Sequence, residues 1–170
     1  SLRYPTAWPD DKPTIILKPI ADSRVSKKNP NRNEGSGASI ALDGGGSEMQ
    51  DELYSMVYLK FRLPEIPGRP IAVKLRLKCL GPGSRDAGNV YLAPNDWEEK
   101  TITYENCPAP IRRIGKIGKV SPKAAIERPL AISFEGNEIS ILLRPTSTDG
   151  IRYGSRESKD SPELMIAYER

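Results

Sequence analysis

Residues 57–63 read VYLKFRL and residues 72–80 read AVKLRLKCL, and the alternation in these two stretches decides the fold class. In an extended strand, successive side chains point to opposite faces. Val57, Leu59, Phe61 and Leu63 therefore share one face of the first strand, and Val73, Leu75, Leu77 and Cys79 share one face of the second. The polar positions Lys60, Arg62, Lys74, Arg76 and Lys78 are all cations. The pattern predicts two amphipathic strands, with apolar side chains turned to a core and a plate of positive charge turned to solvent.

The flanking sequence extends the β pattern. PEIPGRPI (64–71) joins the two strands, and its three prolines and glycine suit a connection rather than regular pairing. TIILKPIADSRV (14–25) reads as two extended pieces broken at Pro19, and SKKNPNRNEGSG (26–37) as a loop. A short strand, ASIALD, leads to Gly44, Gly45 and Gly46; no Gly-Lys-Ser/Thr follows them, so a turn is preferred to a phosphate loop. NVYLAP (89–94), EISILLRP (138–145) and ELMIAYE (163–169) read as further strands. Asp96 with Glu99 suggests one capped helical turn before Thr101–Tyr104 extends. Gly115, Gly118 and Pro122 turn the basic stretch 111–134 from an amphipathic helix into loops and short strands, with a turn of helix near 122–128. About ten short strands separated by turns predict an all-β, antiparallel sandwich of the jelly-roll kind with at most a short helical turn. The chain of 170 residues, with 16 Pro and 14 Gly, is read as one domain over 1–170: an N-terminal extension or linker at 1–13 and a core at 14–170.

Charge and composition narrow the function. The formal net charge is +4, which attracts anions without saying which. With no histidine, Ser-His-Asp and Cys-His sites and most zinc sites are excluded. No apolar run approaches the roughly 18 residues that span a bilayer, and SLRYPTAWPDDKP lacks the parts of a signal peptide, so a soluble module without membrane insertion is expected. Neither an aromatic RNA-binding motif nor a reading helix supports a nucleic-acid partner. Cys79 and Cys107 are compatible with one disulfide or with two thiols.

Five stretches, ADSRVSKKNPNRNEGSGASIALDGG, VYLKFRLPEIP, AVKLRLKCLGPG, NDWEEKTITYENCPAP and GIRYGSRESKDSPELMIAY, resemble in that order the motifs of the DNRLRE or disaggregatase-related domains. That group includes alginate-binding modules of carbohydrate-binding family 96. The resemblance covers residues 20–168, with Ser155-Arg156-Glu157 at the family's Ser-Arg-Glu signature. It implies a secreted or cell-surface β-sandwich, appended to other domains of a larger protein, that binds an acidic polysaccharide without catalysis and requires no cofactor. Arg62 stands where an acidic or small polar residue is usual, which adds to the case for an anionic ligand.

Two basic clusters are the candidate site. The loop group is Arg24, Lys27, Lys28 and Arg32, in a stretch without acidic residues, where the turn chemistry of NPN points Lys28 and Arg32 the same way. The strand group is Lys60, Arg62, Lys74, Arg76 and Lys78; alternate residues on one strand lie about 7 Å apart, a spacing comparable to that of charged groups along an acidic glycan. Arg binds a carboxylate through two parallel hydrogen bonds and Lys supplies a mobile charge. Tyr58 and Tyr153 are the aromatic candidates for stacking on sugar rings, while Trp8 and Trp97 read as core or flap residues. Arg156 borders the site, although pinning the last strand, together with Glu157, through an internal ion pair or backbone hydrogen bonds is its preferred role. Asp22, Asp43 and Asn33 are oxygen donors of the kind a structural Ca²⁺ takes, with turn-capping preferred. A monomeric binder of acidic polysaccharide is the leading reading, a ligand-free adhesive module of a surface protein is the alternative, and a lyase is disfavoured for want of an assembled site.

Overall fold

The computed structural model describes residues 7–170; residues 1–6 of the expected N-terminal extension lie outside that range. Eleven strands and no helix form among the described residues: β1 (Thr14–Leu17), β2 (Ala21–Ser26), β3 (Ser39–Leu42), β4 (Ser55–Arg62), β5 (Arg69–Lys78), β6 (Asn89–Ala93), β7 (Arg112–Lys116), β8 (Ala125–Pro129), β9 (Glu138–Arg144), β10 (Ile151–Gly154) and β11 (Glu163–Glu169). They make a four-stranded antiparallel sheet, β1-β11-β5-β8, and a five-stranded one, β2-β4-β9-β6-β7. β3 and β10 form a two-stranded ribbon bridged to β4 at Asp43–Ser55 and to the end of β5 at Cys79–Tyr153, so it joins both layers. The architecture is the expected β-sandwich. Pro19 divides β1 from β2, which enter different sheets.

Three local expectations are corrected. Residues 96–104 form turns rather than a helical turn and a strand, and the stretch near 122–128 enters β8. β10 arises in the turn-rich segment before the last strand, where no strand was foreseen.

The alternation of β4 and β5 places their apolar faces as expected. Val57, Leu59 and Phe61 on β4 and Val73, Leu75 and Leu77 on β5 meet Ile141, Leu143, Leu164 and Ile166 in one core, each 2% exposed or less. Burying each such side chain contributes about 1.5–3 kcal/mol.

The opposite face of the five-stranded sheet is not solvated. Residues 94–110 cross it, and Trp97 and Ile102 join Tyr54, Met56, Tyr58, Ala93 and Leu142 in a second apolar layer. β4 is consequently buried on both faces from Ser55 to Phe61. Lys60, only 7% exposed, donates from Nζ to the Asn95 carbonyl (2.8 Å) and the Trp97 carbonyl, with the ammonium 4.6 Å from the Trp97 ring centroid. Trp97 Nε1 donates to Ser140 Oγ (2.9 Å), which donates to Asn95 Oδ1 (2.7 Å), and Tyr58 Oη donates to the Pro108 carbonyl (2.5 Å). Polar atoms on the central strands thus fasten the cover.

Both cysteines are free thiols. Cys79 lies in the main core and Cys107 packs against the second layer, on the far side of the five-stranded sheet. The disulfide alternative is closed by that separation.

If Lys60 fastens the cover, Lys60→Ala costs about 2–3 kcal/mol in denaturant unfolding and changes Trp97 fluorescence, since hydrogen bonds from charged groups are each worth about 1.5–3 kcal/mol. Arg62→Ala, two residues on and exposed, changes stability by less than about 0.5 kcal/mol. Equal, small losses in the two variants would contradict the role given to Lys60.

Candidate functional site

The five strand cations do not form one plate. β4 and β5 belong to different sheets, so Lys60 and Arg62 project from one layer and Lys74, Arg76 and Lys78 from the other. Lys60 is almost wholly enclosed beneath the cover, its ammonium taken up by two carbonyls and a ring. The remaining four have internal partners. Arg62 lies 3.9 Å from Glu138 on β9, Lys74 2.9 Å from Glu127 on β8, and Arg76 3.6 Å from Glu163 on β11. Lys74 is also 4.2 Å from the Trp8 ring centroid, and Lys78 donates to the Lys123 carbonyl. The compensating acids sit on neighbouring strands: the register sets Arg76 opposite both Glu127 and Glu163.

Tyr58 and Tyr153 are 1% and 0% exposed and present no ring to a sugar. Burial pushes both phenols above their ordinary pKa. These two stacking candidates, together with Lys60, are corrected by burial.

The loop group fares differently. Arg24 leaves it: it stands opposite Val57 on the core side of β2, half-buried, with Nε enclosed and unpartnered. Lys27, Lys28 and Arg32 are exposed. Lys27 Nζ donates to the Gln50 carbonyl (2.6 Å), whereas Lys28 and Arg32 have no ion pair among the described residues. The loop that carries them is braced. Arg32 N donates to the Asn29 carbonyl (3.1 Å) across NPN, and Glu105 N to the Pro30 carbonyl (2.9 Å). Asn33 Nδ2 donates to the Glu99 and Ile102 carbonyls (2.7 and 2.8 Å). A Cβ on Gly35 would stand 2.1 Å from the Glu99 carbonyl oxygen, so only glycine permits the loop to rest on the cover at that point.

Arg156 is engaged internally, with the cover rather than the last strand. Its Nε and Nη2 donate to the two carboxylate oxygens of Glu99 (2.5 Å each), and its backbone N donates to Asp22 Oδ2 (2.7 Å). Asp22 N donates to Glu99 Oε1 (3.1 Å), and Glu157 lies 3.6 Å from Arg156 Nη2. β2, the cover and the 155–158 turn are tied together here. Oxygens of Asp22, Glu99 and Glu157 lie within 4.8 Å of one another. Neither of the other oxygen donors expected for Ca²⁺ joins them: Asp43 Oδ1 accepts from Gly45 N (2.9 Å), and Asn33 turns its amide to carbonyls. Three carboxylates thus face one guanidinium. Burial, reinforced by Glu157 and Glu99 and opposed by the Arg156 N–H, raises the Asp22 pKa to about 7. Burial raises Glu99 as well, but the Arg156 hydrogen bonds outweigh it and hold that carboxyl below its usual range.

The triple glycine closes on the chain itself. The Asp51 carboxylate accepts from the N–H groups of Gly46, Ser47, Glu48 and Leu53 at 2.9–3.2 Å, which holds Asp51 far below the usual carboxylate range. It is a turn, as preferred from sequence.

One basic region was missed. Residues 106–126 contain no acid and carry Arg112, Arg113, Lys116, Lys119 and Lys123, all exposed on or after edge strand β7. The acid-free run was visible in the sequence, but its glycines and Pro122 were read for secondary structure alone.

A family model described as carbohydrate-binding module family 96 matches residues 13–168. No curated protein matches the chain. Among solved structures, the chain is similar to a family 35 carbohydrate-binding module from Clostridium thermocellum, with 7% identity over 89% of this chain and 97% of that one and a TM-score of 0.38. It is similar also to a family 35 module from Cellvibrio japonicus (9%, 92% and 99%, 0.40) and to the K3 cleaved adhesin domain of Lys-gingipain from Porphyromonas gingivalis (9%, 89% and 99%, 0.39). These likenesses are too loose to bear on function.

The carboxylate cluster has a pH signature. With Asp22 raised from 3.8 to about 7, the folded chain holds the proton more tightly than the unfolded one, so the stability it lends is complete below about pH 4 and is lost as pH rises through 7. Asp22→Asn keeps an oxygen acceptor for Arg156 N and removes the titration. In thermal unfolding at pH 5 and pH 8, the melting temperature of the unsubstituted protein should fall relative to that of Asp22→Asn at the higher pH; parallel behaviour of the two would refute the assignment.

Proposed function

The chain belongs to carbohydrate-binding module family 96, and from that premise we propose that it recognises an acidic polysaccharide, either alginate or another uronate-containing or sulfated glycan, without catalysing its breakdown. The observation that carries the reading is the pair Lys28 and Arg32, exposed and without an ion pair among the described residues, on a loop braced against the cover, with Lys27 beside them. A braced loop has little conformational freedom left to lose on binding. Arg32 can grip a carboxylate or sulfate with parallel N–H bonds, and Lys28 follows the polymer as a mobile charge.

The other expected residues contribute less. Arg62 and Arg76, with side chains 66% and 47% exposed, add outlying positive charge. Lys74 and Arg156 engage a ligand only by giving up Glu127 or Glu99. A lyase base is poorly served, since the chain has no histidine and Tyr58 and Tyr153 are sealed in apolar layers with raised pKa. In this reading the protein is a monomeric, secreted single module of a larger protein, which it anchors to the glycan, and binding requires no cofactor.

Titration calorimetry against alginate, polygalacturonate and a sulfated polysaccharide tests the reading. Binding is expected at low ionic strength and should weaken between about 0.01 and 0.15 M salt, as the screening length falls from about 30 to 8 Å. The double substitution Lys28→Glu/Arg32→Glu should lower affinity at least about tenfold, because charge-assisted contacts are lost and repulsion replaces them. No binding to any of the three polymers at low salt sinks the proposal.

A further inference from the structure

The outer face of the five-stranded sheet is covered by residues 94–110 at its centre, but the strands toward its β7 edge carry a different surface. The register sets Lys116 on β7 opposite Asn89 on β6, which stands opposite Arg144 on β9. Arg113 stands opposite Tyr91. Arg113 and Lys116 are three residues apart and would face opposite sides of a regular strand. A bulge at Ile114 absorbs one residue, so their partners Tyr91 and Asn89 are two apart and share a face. Ile114 itself is buried in the main core. The two exposed cations of β7 therefore stand on one side, beside half-buried Tyr91 and Arg144.

Arg144 is held in place without an acid. Its guanidinium carbon lies 5.7 Å from the Tyr91 ring centroid and its Nε donates to Tyr54 Oη (3.4 Å). Among the described residues, no carboxylate forms an ion pair with Arg113, Lys116 or Arg144. On β5, by contrast, Lys74 and Arg76 each meet a glutamate. A groove of about 440 Å³ follows the other edge of β7, away from Tyr91 and Arg144, between Arg113 and Lys116 on one side and Pro129 and Ala131 on the other. Three cations around one aromatic floor, with no counter-charge among the described residues, are complementary to a pyranose ring that has an apolar C–H face and carries its own carboxylate. The face also lies well for a polymer. Ser26 at the end of β2 and Lys116 on β7 are at the same end of the sheet. Four strand spacings, about 20 Å, separate that edge from the Lys28 and Arg32 loop.

We propose that the outer face of β9, β6 and β7 is a uronate subsite, in which the Tyr91–Arg144 pair forms the floor under a sugar ring and Arg113 and Lys116 bind carboxylates of that ring and its neighbour. The proposal rests on the acidic-polysaccharide reading, narrows it to uronates and adds a second place of contact.

Alginate and galacturonate tetrasaccharides, with a neutral tetrasaccharide as control, are titrated while backbone amide shifts are followed by NMR. Residues 89–91, 113–116 and 144 should shift with the uronates and not with the neutral sugar. Arg113→Glu/Lys116→Glu, exposed and remote from the core, should retain the melting temperature and lose at least about tenfold in affinity. Unchanged affinity in that variant, with binding abolished by Lys28→Glu/Arg32→Glu, overturns the subsite and leaves the function intact. Equal binding of the neutral sugar also overturns it. Failure of the unsubstituted protein to bind either uronate or any acidic polymer overturns both.

Discussion

A strand buried on both faces must find partners for every polar atom it carries, and β4 carries a lysine. Solvation of an ammonium cannot be given up unless hydrogen bonds replace it. Lys60 obtains them from the carbonyls of Asn95 and Trp97 and from the face of the Trp97 ring. That requirement fixes where residues 94–110 cross the sheet, and much else follows from it. The cover supplies Glu99, which receives Arg156, and backbone carbonyls that receive Asn33. The basic loop is thus positioned at third hand by a charge in the middle of the sheet.

The sequence was a good guide to faces and a poor one to neighbours. Alternation in 57–63 and 72–80 identified the core side chains because a strand's period is a local property. It could not say that β4 and β5 enter opposite sheets, or that Glu127 and Glu163 arrive beside Arg76, since both are decided by long-range pairing. Lys60 and Tyr58 were read as outward because a polar face normally meets water, and a covering segment of turns has no periodic signature. β10 was overlooked because four residues, the last of them Gly154, carry too little pattern. Lys28 and Arg32, in a turn whose chemistry is local, were placed on the surface correctly.

The net charge of +4 is unevenly spread. The four-stranded sheet carries cations matched by glutamates on adjacent strands, an arrangement that steadies the sheet edge-on and leaves little field outside. The excess collects at the β2–β3 loop and along β7, the two flanks of the other layer. A modest overall charge therefore coexists with strongly basic local surfaces, which is where association with a polyanion would be steered.

The turn closed by Asp51 lies on an exposed loop, where backbone amides normally trade their protons with water within seconds. Those of Gly46, Ser47, Glu48 and Leu53 are instead aimed at one carboxylate that stays ionised far into acid. The segment is thereby knotted by hydrogen bonds outside any sheet, the kind of local order that slows hydrogen exchange without a strand partner.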